Sequence, residues 1–233
     1  MEVYNKNRDK NRNMHDEIRE QNAKLKDAPL RDKLAYFKEY YLKMTLAVIA
    51  IIVFVVSVGY TMITAPDETA FAAFFFNDTG YSSDSTLQDT FAEHLGVDTR
   101  KYEVYIDTTP TYSEMGTYED YTSVQRCMAN IAGNALDVLL CDQETYEHFA
   151  TSEIFLDITT VLPEDLMTQF QDKLVFSTLE ETGEVIPSAI IVTDAPKLQQ
   201  YHYYDGKDAY FSIVSNSQNI DNVIAFLRFI YEE

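Results

Sequence analysis

Residues 44–63 read MTLAVIAIIVFVVSVGYTMI, twenty positions without a charged side chain, and 43 residues precede them. At about 1.5 Å of rise per residue such a helix spans ~30 Å, the hydrocarbon thickness of a bilayer. Its polar groups are Thr, Ser and Tyr hydroxyls alone, whereas a core helix of that length in a water-exposed domain carries a polar face. The run predicts a transmembrane helix over residues 44–64, and the rest of the chain is read outward from it.

Charge gives the orientation. Residues 1–43 hold 11 Lys and Arg against 8 Asp and Glu, and the remainder holds 7 against 30. Lys33, Lys38 and Lys43 stand just before the span, and the next basic residue after it is Arg100. The positive-inside rule then places the N-terminus in the cytoplasm and residues 65–233 outside the plasma membrane. The leader is too long, and the apolar run exceeds the ~7–15 residues of a cleaved signal core. The small-residue site ending at Ala65 is followed by Pro66, and no Cys lies near the span to accept a lipid. The expectation is an uncleaved single-pass signal anchor whose first partner is the lipid bilayer.

Residues 1–26 are almost wholly polar and cannot bury a core, so they read as a cytoplasmic tail. Over residues 27–43 the pattern changes. Asp27 can cap a helix with Pro29 in its first turn, and Leu30, Leu34, Phe37, Tyr41 and Met44 then recur every four and three residues. The expected element is a short cytoplasmic amphipathic helix at the inner headgroups, anchored by Tyr36, Tyr40, Tyr41 and Lys43. A docking helix for a cytoplasmic protein is the alternative.

The outer segment is the size of one domain and rich in Phe, Tyr, Ile, Val and Leu, enough for a proper core. Its net charge of −23 argues against nucleic acid, which needs clustered Lys and Arg, and against an anionic lipid surface. The acidity reads first as a solvated surface, and second as a patch for a cationic partner or Ca²⁺. No EF-hand spacing occurs, the polar loop at 77–85 included, and no metal or cofactor is expected. Cys127 and Cys141 fall on a helix end and on the far end of a neighbouring strand, so they read as separate buried thiols rather than a disulfide.

After the break at 65–67, strand-like and helix-like segments alternate. Residues 71–76 (FAAFFF), 101–106 (KYEVYI), 135–140 (ALDVLL), 184–192 and 209–214 (AYFSIV) read as strands, and 154–158 as a brief extended piece. Residues 86–95, 118–131, 144–151, 163–174 and 220–231 read as helices. This alternation predicts an α/β fold: a mainly parallel open sheet with flanking helices. Ligands of such sheets bind beyond the carboxyl ends of the strands. Asn77, Asp107, Thr108, Asp142, Ser215 and Asn216 are therefore the candidate ligand-binding residues, with Asp78 and Ser217 beside them. The set is polar and acidic without a basic partner, which suits a neutral polyol, a cation or a protein surface. Polar loop ends with no binding role are the plainer reading of each.

Residues 132–138 (AGNALDV), Cys141-Asp142 with the helix after it, residues 154–158 (IFLDI) and Leu162-Pro163 resemble the first lobe of extracellular solute-binding proteins of type II. Residues 213–217 (IVSNS) resemble that family's return strand. The run 33–41 (KLAYFKEYY) is similar to a recurrent group of small single-pass proteins of Gram-positive bacteria with the same layout. The resemblance implies a single solute-binding-protein-like lobe. About 25 residues separate Pro163 from the strand at 184, too few for the second lobe that closes over a ligand in that family. The family's lipid-bearing Cys is replaced by a helix.

Neither G-x-S-x-G, H-E-x-x-H, a P-loop nor G-x-G-x-x-G occurs. His94 and His148 fall on helices beside acidic residues, and His202 lies in an aromatic run, 201–204, that reads as a half-buried loop or a sugar-stacking face. The sequence thus predicts no enzyme. It points to a membrane-anchored recognition module for a membrane-protein partner or, alternatively, to a tethered component that passes a small neutral solute to an ABC-type transporter.

Overall fold

The computed structural model describes residues 19, 29–31, 34, 38, 41–64, 66, 68–80, 85–180 and 182–232. Tyr36, Tyr40 and most of the segments 1–26 and 27–43 lie outside them. The chain divides into two units, Met1–Thr64 and Ala65–Glu233.

In the first unit, helix α1 spans Leu42–Thr64, beginning two residues before the charge-free run. It is long and apolar enough to cross a membrane, with Leu46, Ile49, Val53, Phe54 and Val56 all outward-facing and exposed. A helix apolar on every side has no stripe to bury against a domain and suits lipid. The Thr61 hydroxyl is satisfied within the helix, its Oγ1 donating to the Ser57 carbonyl at 2.9 Å. Lys43 stands exposed in the first turn and Tyr41 is half-buried; Leu30 and Leu34 are exposed.

The second unit is α/β. Strands β1 (Glu68–Phe75), β2 (Tyr102–Asp107), β3 (Val138–Cys141), β4 (Leu174–Thr178), β5 (Val185–Ile191) and β6 (Tyr210–Ile213) form one open sheet in the order β2-β1-β3-β6-β5-β4. Helices α2 (Thr86–Leu95), α3 (Tyr118–Ala132), α4 (Gln143–Ala150), α5 (Glu164–Phe170), α6 (Pro196–Gln200) and α7 (Ile220–Ile230) flank it. The sheet is mixed, not mainly parallel: β1 pairs parallel with β2 and β3, but β3–β6, β6–β5 and β5–β4 are antiparallel. For β4 and β5 the reason is chain length. A hairpin closed by Leu179 and Glu184, with Gly183 at φ +71°, joins β4 to β5, and a parallel pair would need a crossover of a dozen residues or more. Strand β4 is absent from the sequence expectation because it is short and follows a helical pattern that runs into it. Inside β5, Pro187 faces Phe176 and Ala189 faces Val175, so Ser188 is the extra residue of a bulge.

The run at 71–76 behaves as a strand buried on both faces. Phe71, Ala73 and Phe75 join a core with Leu87 and Phe91 of α2 and Val223, Phe226 and Leu227 of α7. Ala72, Phe74 and Phe76 enter a second core with Cys127 and Ile131 of α3 and Tyr146 and Phe149 of α4. Both cysteines lie free in that second core. Helix α3 starts on a capping box, with Thr117 Oγ1 accepting from Asp120 N and the Asp120 carboxylate accepting from Thr117 N.

Candidate functional site

The parallel half of the sheet brings the ends of β1, β2 and β3 together, and there the candidate residues separate into two groups. Asn77 follows β1 in a left-handed conformation, φ 55°, and Asp142 follows β3 as the N-cap of α4. They meet: Asn77 Nδ2 donates to Asp142 Oδ1 at 3.2 Å and to the Tyr112 carbonyl at 2.6 Å. Asn77 Oδ1 accepts from Tyr112 N at 2.9 Å. Asp142 also accepts from Thr145 N and Oγ1, and Lys207 Nζ reaches it at 3.0 Å. Burial alone would raise its carboxyl, but the bonds from Thr145, Lys207 and Asn77 outweigh it and hold the group below its ordinary value.

The crevice beside this pair is occupied by the protein's own chain. Tyr204, buried in the 201–208 loop, donates its hydroxyl towards the Phe76 and Leu140 carbonyls at 3.0 and 2.8 Å, just after β1 and near the end of β3. The Tyr203 ring packs edge-on to Phe75 with centroids 5.3 Å apart. Thr79 Oγ1 fastens the loop by donating to the His202 carbonyl at 3.0 Å and accepting from Asp205 N at 2.7 Å. His202 and Tyr204 both sit at positive φ, a cost of ~1 kcal/mol or more each that these bonds offset. Of the aromatic run, Tyr203 and Tyr204 are buried and Tyr201 half-buried, which is the loop reading and not a sugar-stacking face. Asp78, half-buried beside them, has its carboxyl pushed up by burial to about 6, against one lowering bond from Gly80 N.

Asp107 forms the second group. Its buried carboxylate accepts from Thr109 N (2.9 Å), Thr109 Oγ1 (2.6 Å) and Tyr105 Oη (3.0 Å), and Arg126 Nη2 of α3 lies 3.0 Å away. Arg126 also rests over the Phe74 ring at 5.3 Å, so its guanidinium is held on three sides. Thr108 lies half-buried in the same loop. Beside Arg126 opens a cavity of about 280 Å³ lined by Thr109, Thr111, Glu119, Thr122, Ser123 and Arg126.

Two expectations need correcting. The acidic residues do have basic partners, Arg126 for Asp107 and Lys207 for Asp142; neither pairing was legible, because the cations arrive from distant segments. Ser215 and Asn216 do not join the others either. Strand β6 runs antiparallel to β3, with Ile213 opposite Val138, so its carboxyl end lies at the amino end of β3. There Asn216 Nδ2 donates to the Ile131 carbonyl and Asn134 Oδ1, both at 2.6 Å, and Ser215 Oγ to the Glu153 carbonyl at 3.3 Å. Buried Asp137 organises that end by accepting from Ala72 N, Ser217 Oγ and Asn219 Nδ2.

The three described histidines are exposed, and two of them rest against aromatic rings. His94 lies against Phe91 and Phe229, with Glu232 at 3.5 Å; His148 stacks on Tyr112 at 4.3 Å, and His202 pairs with Asp205 at 2.8 Å. Burial lowers the His148 pKa and pushes the Cys127 thiol up to about 12. Among the described residues no group of three or more His, Cys, Asp or Glu is placed to hold a metal ion. In comparisons with known proteins, no family model, no curated protein and no solved structure matches this chain.

Proposed function

We propose that this chain is a single-pass plasma-membrane protein, cytoplasmic at its N-terminus, whose α/β domain lies outside the cell and recognises another protein without catalysis. The charge asymmetry about α1 supports the orientation. One observation carries the choice of a protein over a solute. The crevice between β1 and β3, where open α/β sheets hold small ligands, is filled by Tyr203 and Tyr204, and its polar groups are taken up by one another. The buried thiols support the absence of catalysis, since a cysteine nucleophile needs access and a pKa near working pH. The lobe-like reading rests on the sequence motifs around residues 132–163.

The alternative, a tethered solute-binding component of a transporter, is favoured by the cavity beside Arg126. Thermal unfolding of the full chain in detergent against sugars, amino acids, peptides and divalent cations separates the two. A ligand at about a hundred times its dissociation constant adds ~2.7 kcal/mol, roughly 5–11 °C in Tm for a domain of this size. The protein-recognition reading expects no shift across the panel and a crosslinked partner in intact membranes. A solute shift of that size with no crosslinked partner overturns it.

A further inference from the structure

Helix α3 has a second apolar face that its own domain leaves uncovered. Its inner face buries Cys127 and Ile131 against the sheet, as the core requires. Tyr118, Tyr121 and Met128, spaced at three and seven, point another way, and Met115 precedes them in the loop. Their exposures are 95% for Met115, 82% for Tyr118, 62% for Tyr121 and 41% for Met128. Residues three and four apart share a helix face, so these side chains with Gln125 form one stripe, along which Gln125 Nε2 donates to Tyr121 Oη at 2.7 Å. Tyr and Met are the residue types enriched where proteins meet, and exposed aromatic clusters of this kind mark contact surfaces.

Charge indicates what covers it. Glu114 is exposed next to Met115, and exposed Glu144 joins it by accepting from Glu114 N at 2.6 Å, whereas Glu119 faces the cavity beside Arg126. Six of the domain's seven cations are engaged elsewhere, and the seventh, Lys101, is exposed just before β2. Of its seven Lys and Arg, Arg100, Arg126, Lys173, Lys207 and Arg228 are held by Asp98, Asp107, Asp194, Asp142 and Asp165, and Lys197 lies over Phe229. The glutamates around the stripe therefore face outward against a domain of net charge −23.

We propose that the outward stripe of α3 docks a cationic, apolar-faced segment of a partner protein, its side chains packing on Met115, Tyr118, Tyr121 and Met128 and its Lys or Arg meeting Glu114 and Glu144. This rests on the protein-recognition reading and assigns the surface and the partner's chemistry. Electrostatic complementarity of this kind steers encounter and fixes register, and it weakens with salt.

The test uses the full chain in intact membranes of cells that express it, with a photoreactive phenylalanine analogue replacing Tyr121. A second variant carries the analogue at Phe176, the exposed side chain of edge strand β4. The expected result is an adduct from position 121 and none from 176, with a crosslinked partner peptide richer in Lys and Arg than in Asp and Glu. Its yield should fall roughly tenfold in the E114Q/E144Q variant or at about 0.5 M salt. An adduct from 176 alone overturns the surface while leaving protein recognition standing. A neutral or acidic crosslinked peptide, or a yield indifferent to salt and to E114Q/E144Q, overturns the partner class. No adduct from either position overturns the proposal, and with a solute-induced rise in Tm it overturns protein recognition as well.

Discussion

The side-chain amide of Asn77 lies 3.2 Å from the carboxylate of Asp142, tying the ends of β1 and β3 across 65 residues of sequence. The contact sits where a doubly wound sheet usually opens to a ligand. Here it is a clamp, because Asp142 at the same time caps α4 and holds Lys207.

Replacing Asp142 separates its duties. In D142A the cap is lost, which alone costs ~1 kcal/mol, and Asn77, Thr145 and Lys207 lose their acceptor. The expected destabilisation is about 2–4 kcal/mol in chemical unfolding. D142N keeps a capping oxygen and should lose less than half as much. Equal losses in the two variants would show that the cap contributes little.

Gly80 is required by space. A Cβ there would come within 2.8 Å of Tyr203 Cδ1, and Tyr203 is wedged against Phe75. G80A should lift the 201–208 loop, cost roughly 1–3 kcal/mol as overpacking does, and expose that loop to limited proteolysis. An unchanged melting temperature and digestion pattern would mean that the loop is not fastened as described.

Asp78 gives a pH dependence of known sign. Its folded pKa, raised by burial to about 6, exceeds the ordinary 3.8 of the unfolded chain. The folded state therefore holds a proton more tightly; the stabilisation is complete below about pH 4 and disappears as pH rises through about 6. D78N, which stays neutral and can still accept from Gly80 N, should flatten this term. The urea midpoint of D78N should exceed that of the parent at pH 7.5, and the difference should close by pH 4. A parent midpoint that falls relative to D78N on going from pH 7.5 to 4 would reverse the assignment.

Asp120 has the opposite sign. Hydrogen bonds, first from Thr117 N, hold its carboxyl down at about 2, so its contribution is present above about pH 4 and lost as pH falls towards 2. D120N should remove that part of the acid unfolding limb. A parent and variant with the same acid midpoint would show that the capping box does not distinguish the ionised form.

The two thiols should behave alike. Burial raises both, so a thiol reagent should label neither Cys127 nor Cys141 faster than the domain opens, and both at once in denaturant. Rapid labelling of either in the native chain would contradict the packing of the second core.

Much of this molecule is written locally. The charge-free run specifies a helix long and apolar enough to cross a membrane, and residues 71–76 specify a strand buried on both faces. The stripes of 86–95, 118–131 and 220–231 specify helices within a residue or two of those observed. Each signal works because burial period and backbone geometry are set by neighbours in sequence. Tertiary structure alone decided the rest. It turned β4, β5 and β6 antiparallel, which sent Ser215 and Asn216 to the far end of the sheet. It paired Asp107 with Arg126 and Asp142 with Lys207, and it laid Tyr204 across the ends of β1 and β3. These are contacts between segments that only the packed sheet brings within hydrogen-bonding reach, and no local pattern encodes which distant cation or loop will arrive.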